Sequence, residues 1–267
     1  MRYGALLRSL RSLRGAPPVV IPPTHADVRY RDGMLRRGAI EPLADLYVPA
    51  APNGASVVLV HGGGFVIGSR RMKPMRYLIA KLVEAGVAVC SVDYRMIFRG
   101  GRLDEATADV IDAFEFWSGR TTALGLDPGR VSLVGLSAGA TLSMLAAARL
   151  DNGRLRSVAS AFGLYDVAHL RGPAGLLPRL LLGTADRGRW SSRLPRHGHQ
   201  TSAPTLLLHG SQDELVPVDQ ARQLAAHREM LGLPTKLVIY DAVAHDFFNL
   251  PVPAADGARA IIDHVTT

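Results

Sequence analysis

The sequence has one cysteine, three lysines and no long apolar run, and each shortage excludes a class of protein. One cysteine cannot form a disulfide within the chain, which excludes a scaffold held by internal disulfides and fits a reducing compartment. No uninterrupted apolar stretch approaches the ~20 residues that cross a bilayer, and no secretory signal is evident. These shortages favour a cytoplasmic protein. Cys90 lies in the apolar run 87–92, so we expect a buried structural thiol.

A dense basic run is also missing, although the formal net charge is +8. Only three of the 31 basic residues are lysines, and the arginines are scattered along the chain. No nucleic-acid-binding motif accompanies them. We therefore expect no nucleic-acid partner, and the sequence does not indicate an oligomeric state.

The segment 1–25 contains no acidic residue and has the pattern of a basic amphipathic helix. Leu6, Leu10 and Leu13 share one helical face, beside several arginines. Three interpretations stay open: docking on the globular domain as part of a cap, contact with a membrane surface, and an organelle-targeting peptide. We favour docking over membrane contact.

The remaining chain, 26–267, has the pattern of one α/β domain. Its β-prone runs cover 26–30, 45–48, 56–60, 87–92, 131–135, 158–163, 205–209 and 237–240. Helical patterns cover 75–84, 105–117, 138–150, 218–231 and 254–265. Early strands without helices, followed by regular alternation of strand and helix, predict a mostly parallel eight-stranded sheet with helices on both faces.

One connection is much longer than the others. The interval from about 165 to 203 joins two predicted parallel strands, although a plain crossover needs only about a dozen residues. Because the carboxyl ends of parallel strands carry the reactive side of such a sheet, we expect this insertion to form a small cap. The leucines between 176 and 182 supply an apolar face for it. An ordinary surface loop is the alternative.

The motif with the clearest chemistry is Gly-x-Ser-x-Gly at 135–139. A β-prone run stops at this motif, and a helix-prone segment follows at once. A serine on such a sharp turn projects its hydroxyl away from the backbone, towards a helix N-terminus. Gly135 and Gly139 suit the turn because a Cβ there would collide as strand and helix pack closely. Ser137 is therefore the candidate nucleophile.

A serine nucleophile needs a base, and the base needs an orienting acid, in the chain order Ser, acid, His on a sheet of this kind. His245 follows the last predicted strand by a short loop, which places it at the reactive edge of the sheet. Asp213 follows the preceding strand, with Glu214 as the neighbouring alternative. We expect His209, inside the strand end, to be a packed structural imidazole.

The glycine loop at 62–64 follows a buried strand and suits an oxyanion. Successive glycines let the backbone turn its N–H groups towards a developing negative charge. The amide of Ala138, at a helix N-terminus, adds a further donor. Phosphate binding is excluded because neither a Gly-Lys-Ser/Thr nor a G-x-G-x-x-G motif follows. We expect His61 to brace the loop and not to act as a base.

These motifs are similar to those of the α/β-hydrolase superfamily, in particular its serine esterases and lipases with an HGGG loop. The similarity runs from about Asp45 to the C-terminus. Its landmarks are His61-Gly62-Gly63-Gly64-Phe65, Val92-Asp93-Tyr94-Arg95, Asp109, Leu126-Asp127-Pro128-Gly129-Arg130-Val131, Gly135-Leu136-Ser137-Ala138-Gly139, Asp213-Glu214-Leu215-Val216-Pro217 and His245.

The resemblance implies the α/β-hydrolase fold and a triad of Ser137, Asp213 and His245. It implies structural roles for Asp93 and Arg95. The implied oxyanion hole consists of the amides of Gly63, Gly64 and Ala138. Candidate substrate-binding residues beside these groups are Phe65 and Leu136. The chain departs from the group's usual Gly-Asp-Ser-Ala-Gly-Gly turn at Leu136 and Ala140 and lacks the Ala-Pro-Glu that often follows Asp-Tyr-Arg.

The leading hypothesis is hydrolysis of a small carboxylic ester with a small-to-medium acyl group through an acyl-enzyme. No metal or organic cofactor is expected. One alternative keeps the same triad for an amide, a formamide, a peptide or acyl transfer. Another is a binding module that retains the hydrolase fold without catalysis.

Overall fold

Apolar β-branched residues and leucine make the central strands, which are buried on both faces. In the strand Ser56–Val60, successive side chains point to opposite faces, so Val58 and Val60 join one core cluster while Val57 and Leu59 join another. A computed structural model of the chain describes residues 20–33, 37–150, 153–167, 176–245 and 247–267. The predicted segment 1–25 lies mostly outside these residues.

The described chain contains one eight-stranded sheet in the order β1-β2-β4-β3-β5-β6-β7-β8. The strands are β1 (His25–Arg29), β2 (Leu43–Tyr47), β3 (Ser56–Val60), β4 (Ala88–Val92), β5 (Val131–Leu136), β6 (Val158–Ala161), β7 (Thr205–Gly210) and β8 (Thr235–Tyr240). β2 is antiparallel to both of its neighbours, β1 and β4. The strands β3 to β8 are all parallel to one another. The prediction of a mostly parallel eight-stranded sheet is confirmed.

Helices cover both faces of the sheet, as predicted. They are α1 (Lys73–Glu84), α2 (Leu103–Ser118), α3 (Ala138–Leu150), α4 (Leu176–Leu182), α5 (Gly188–Ser191), α6 (Asp219–Met230) and α7 (Pro251–Thr266). Apolar residues of α1 and α7 share the core cluster on one face, and those of α2, α3 and α6 share the other. None of the helices in the described ranges is long and apolar enough to cross a membrane.

Two glycines let α3 approach the sheet closely. A Cβ on Gly139 would lie 2.2 Å from the carbonyl oxygen of Val60, on the neighbouring strand. A Cβ on Gly135 would lie 2.2 Å from the carbonyl oxygen of Gly139. Such distances are far inside van der Waals contact, so each position requires glycine as long as α3 keeps this approach. The close packing fixes the turn between β5 and α3.

The insertion between β6 and β7 folds against the side of the domain that carries α2. Arg193 forms an ion pair with Asp104 near the start of α2, and its Nη1 donates to the carbonyl oxygen of Leu182 at 2.5 Å. Trp190 is buried, and its Nε1 donates to the carbonyl oxygen of Thr184 at 3.0 Å. Residues 168–175 of the insertion lie outside the described chain. A role for this segment as a cap over the site stays a prediction.

Candidate active site

Ser137 lies on the turn that joins β5 to α3. Its backbone has φ +53°, a left-handed conformation that costs a non-glycine residue on the order of 1–2 kcal/mol. The surrounding main chain holds this conformation, since the Ser137 amide donates to the Ala161 carbonyl oxygen at 2.9 Å. The amide of Ala140 donates to the Ser137 carbonyl oxygen at 3.0 Å. The predicted sharp turn from strand to helix is present.

His245 is brought to this turn by the loop that follows β8. Its Nε2 lies 2.9 Å from the Ser137 Oγ, and its Nδ1 lies 2.7 Å from the Asp213 Oδ2. Two backbone hydrogen bonds tie the loop to the end of β7, from the Ser211 amide to the Tyr240 carbonyl and from the Gln212 amide to the Val243 carbonyl, each 2.9 Å. The structure therefore places the three predicted side chains in one hydrogen-bonded row.

Asp213 accepts hydrogen bonds on both carboxylate oxygens. Its Oδ1 accepts from the amides of Leu215 and Val216, at 2.9 and 2.8 Å. Complete burial of the side chain by itself raises the pKa of Asp213. The hydrogen bonds from His209 and His245 outweigh burial and lower the pKa of Asp213 to about 2. The carboxylate is therefore an anion throughout the neutral range.

His209 also contacts this carboxylate, which the sequence did not indicate. Its Nε2 lies 3.2 Å from the Asp213 Oδ2 and 2.8 Å from the Val216 carbonyl oxygen. The imidazole is completely buried, as expected of a packed residue. The only signal in the sequence is its position at the strand end, four residues before the acid. Glu214, the alternative acid, is not the residue that meets His245.

The low pKa of Asp213 predicts a defined loss of stability in acid. The folded pKa, about 2, lies below the ordinary value of 3.8. The stabilisation is thus complete above the unfolded pKa and is lost as the pH falls through the folded one. At ~1.4 kcal/mol per pKa unit, we expect wild type to lose roughly 2 kcal/mol more than Asp213→Asn between pH 5 and pH 2. Urea unfolding of both proteins at several pH values measures the difference. Parallel pH curves for the two proteins would contradict the prediction.

The glycine loop lies directly against the nucleophile. A Cβ on Gly62 would lie 3.0 Å from both the Leu136 carbonyl oxygen and the Ser137 Cβ. Gly63 and Gly64 have φ of +118° and +61°, which turn the backbone in a way that side chains disfavour. No acceptor in the described chain takes their amide protons. Ala138 is the first residue of α3, where the N–H groups lack partners within the helix. The role of the Gly63, Gly64 and Ala138 amides as an oxyanion hole stays a prediction.

Alanine at Gly63 is expected to lower kcat about 10²- to 10³-fold, the effect of losing one oxyanion donor. The new Cβ would lie 1.8 Å from the Ile67 carbonyl oxygen, so the loop must move and carry its amide away from Ser137. Gly125→Ala is the matched control, because Gly125 also has positive φ (+71°) but no atom within 4 Å of an added Cβ. Kinetics and thermal unfolding of both variants separate lost alignment from backbone strain. Equal kcat in the two variants would contradict the prediction.

Buried polar groups brace the start of the loop. The His61 Nδ1 donates to the Gly62 carbonyl oxygen at 2.7 Å, and its ring stacks on Tyr94 with centroids 4.3 Å apart. Burial lowers the pKa of His61 and keeps the ring neutral. Asp93 accepts from the Arg70 amide at 2.7 Å and pairs with the Arg70 guanidinium. These contacts support the predicted bracing role of His61.

One aromatic side chain packs directly against the site. Phe162, which follows β6 with φ +44°, packs its ring edge-on against His245 at a centroid distance of 5.0 Å. Phe65 and Leu136 are each only 2% exposed and pack in the core. Their part in substrate binding stays a prediction.

The described residues contain no group of three His, Cys, Asp or Glu side chains that could hold a metal ion.

Comparison with known proteins indicates the family of the chain. A family model described as BD-FAE matches residues 44–169. An ethyl acetate hydrolase of Pseudomonas putida is 31% identical over 218 residues, which are 74% of this chain and 67% of that protein. The chain belongs to the α/β-hydrolase superfamily of serine esterases and lipases.

Other relatives of this α/β-hydrolase are longer. A probable isoprenylcysteine alpha-carbonyl methylesterase of Oryza sativa is 28% identical over 250 residues, covering 83% of this chain and 59% of that protein. The chain thus spans little more than half the length of this relative. In fold, it is similar to a truncated carbohydrate esterase from gut microbiota, with a TM-score of 0.76, 18% identity and coverage of 91% and 96% of the two chains. It is also similar to Thermogutta terrifontis esterase 2, with a TM-score of 0.67, 23% identity and coverage of 82% and 87%.

Proposed function

We propose that this protein hydrolyses carboxylic esters through an acyl-enzyme on Ser137. The observation that carries the proposal is the hydrogen-bonded row from the Ser137 Oγ through His245 to the Asp213 carboxylate, at 2.9 and 2.7 Å. The three residues follow three different strands, so their proximity results from the tertiary fold and not from local sequence. A buried anion beside an imidazole that reaches a serine hydroxyl is the arrangement that general-base activation of a nucleophile requires.

The first half-reaction transfers the acyl group to the enzyme. The Ser137 Oγ attacks the carbonyl carbon while the His245 Nε2 takes the hydroxyl proton. The carbonyl oxygen becomes an oxyanion and accepts hydrogen bonds from the amides of Gly63, Gly64 and Ala138. Collapse of the tetrahedral adduct breaks the bond to the alcohol oxygen, which leaves with the proton from His245. Asp213 holds the imidazole in place and stabilises its charged form.

The second half-reaction releases the acid. Water attacks the acyl carbon while the His245 Nε2 takes its proton, and the Ser137 Oγ recovers a proton as the adduct collapses. This cycle needs no group from outside the chain except water. Short acyl groups are the proposed substrates, because relatives carry the names ethyl acetate hydrolase and, in Streptomyces hygroscopicus, acetyl-hydrolase.

A substrate panel tests the proposal. The purified protein is assayed with p-nitrophenyl esters from acetate to laurate, with the matched anilides and with an aryl formamide. We expect turnover to be fastest for acyl chains of two to about six carbons. We also expect an organophosphate to label Ser137 stoichiometrically. Faster turnover of the anilides or the formamide would replace ester hydrolysis by one of the alternatives. No turnover together with no labelling would indicate a binding module.

A further inference from the structure

The Asp213 carboxylate is shared by two imidazoles, and the proposed mechanism uses only one of them. The Asp213 Oδ2 lies 2.7 Å from the His245 Nδ1 and 3.2 Å from the His209 Nε2. The other oxygen accepts from two backbone amides of the loop before α6. Each oxygen of the carboxylate therefore has two donor positions around it. His209 is the member of this set with no part in the chemistry described so far.

The surroundings of His209 assign the proton on its ring. Its Nε2 lies 2.8 Å from the Val216 carbonyl oxygen, an acceptor that has no hydrogen to give. The proton must therefore be on Nε2. The Nδ1 is buried and has no hydrogen-bond partner in the described chain, so a second proton there would be unsatisfied. The neutral ring thus offers one N–H, directed between the Val216 carbonyl and the Asp213 carboxylate.

We propose that His209 is a positioning residue for the acid of the site: its Nε2–H donates to the Asp213 Oδ2 and holds that oxygen towards His245. The proposal rests on the ester hydrolase function proposed above. The His209 ring is completely buried, and its Nε2 also contacts the Val216 carbonyl oxygen in the loop that follows Asp213, so close packing keeps the ring at the carboxylate. Through Asp213, His209 moderates the negative charge that the imidazole of His245 meets.

Removing this donor changes both the rate and its pH dependence. His209 and His245 are the titratable groups that the described structure places on the Asp213 carboxylate. Without the His209 N–H, hydrogen bonds neutralise less of the Asp213 charge, so the carboxylate attracts the charged imidazolium form of His245 more strongly. We expect His209→Phe to move the acid limb of the pH profile of kcat/KM to higher pH, by about half a pH unit or more. We expect kcat to fall about tenfold, because Asp213 loses one of the contacts that orient it.

The matched variant is His209→Gln, whose side-chain amide nitrogen is near the position of the imidazole Nε2 and restores the donor. We expect its acid limb and kcat to be close to those of wild type. A purely structural imidazole predicts losses that follow the loss of folded protein, with the acid limb unmoved in both variants. An unmoved limb in His209→Phe, or equal limbs in the two variants, would therefore overturn the proposal.

An NMR measurement provides a test that does not depend on catalysis. Long-range ¹H–¹⁵N NMR of the ¹⁵N-labelled protein assigns the protonated nitrogen of each histidine. We expect His209 to carry its proton on Nε2 and this resonance to shift in Asp213→Asn. A proton on Nδ1 would overturn the positioning role even if the protein is an esterase. Failure of the ester panel with the expected spectrum would overturn the proposed function instead.

Discussion

Ser137→Ala is expected to reduce ester hydrolysis by about 10⁶-fold while leaving the fold unchanged. The hydroxyl at this position is the group proposed to form the acyl-enzyme, and it is the hydroxyl that lies 2.9 Å from the His245 Nε2 in the described chain. The fold should not respond, because alanine and serine bear the same strain at φ +53°. Steady-state kinetics with p-nitrophenyl acetate and thermal unfolding measure the two parts of the prediction.

Ser143→Ala supplies the control for Ser137→Ala. Ser143 lies on the same helix, α3, and its Oγ is buried without a hydrogen-bond partner in the described chain. Loss of this hydroxyl should therefore leave kcat/KM close to the wild-type value. Comparable activity in Ser137→Ala and wild type would remove the serine from the mechanism. Equal losses in the two variants would indicate a general effect on α3.

Asp213→Asn is expected to lower kcat about 10⁴-fold. In wild type, one carboxylate oxygen faces two imidazoles and the other faces the amides of Leu215 and Val216. A side-chain amide has only one oxygen, so in either orientation its NH₂ group faces donors. If the NH₂ group is turned towards His245, it donates to Nδ1 and favours the tautomer with the proton on Nε2. In that tautomer, Nε2 is unable to act as a base. Turned towards the loop, the NH₂ group displaces the backbone that holds the acid.

Glu214→Gln is the matched control for the acid. It removes one negative charge from the next position in the chain but leaves the carboxylate that meets His245. We expect kcat within about twofold of wild type, since the effect of a nearby charge outside the hydrogen-bonded row is small. Rate measurements at pH 8 on the two variants distinguish the acids. A loss in Glu214→Gln as large as that in Asp213→Asn would overturn the assignment of Asp213.

The site residues that the sequence predicts are those whose position in the fold follows from the direction and order of the strands. Ser137 lies within a strand, turn and helix that are contiguous in sequence, so the local pattern defines its environment. Asp213 and His245 each follow a strand, and parallel strands bring their carboxyl ends to one edge. Strand type and order along the chain were sufficient for both, without knowledge of any side-chain contact.

The sequence does not predict contacts between side chains that belong to no common repeat or motif. The sharing of Asp213 by His209 depends on the rotamers of two buried residues and on the loop to Val216. The ion pair between Arg70 and Asp93 joins the region after the glycine loop to the end of β4. The packing of the insertion on α2 buries Leu181 and Leu182 in a core cluster that α2 shares. The half-exposed ion pair between Arg193 and Asp104 adds to this contact, and charge patterns alone do not single it out. These features depend on tertiary packing.

The position of β8 at the edge of the sheet has a consequence for how the protein loses activity. Among the strands that the structure describes, β8 pairs only with β7, and most of its residues are partly exposed to solvent. Detachment of this edge strand would withdraw the imidazole of His245, while Ser137 and the glycine loop remain attached to the central strands β5 and β3. Inactivation in mild denaturant should therefore precede global unfolding and be reversible on dilution.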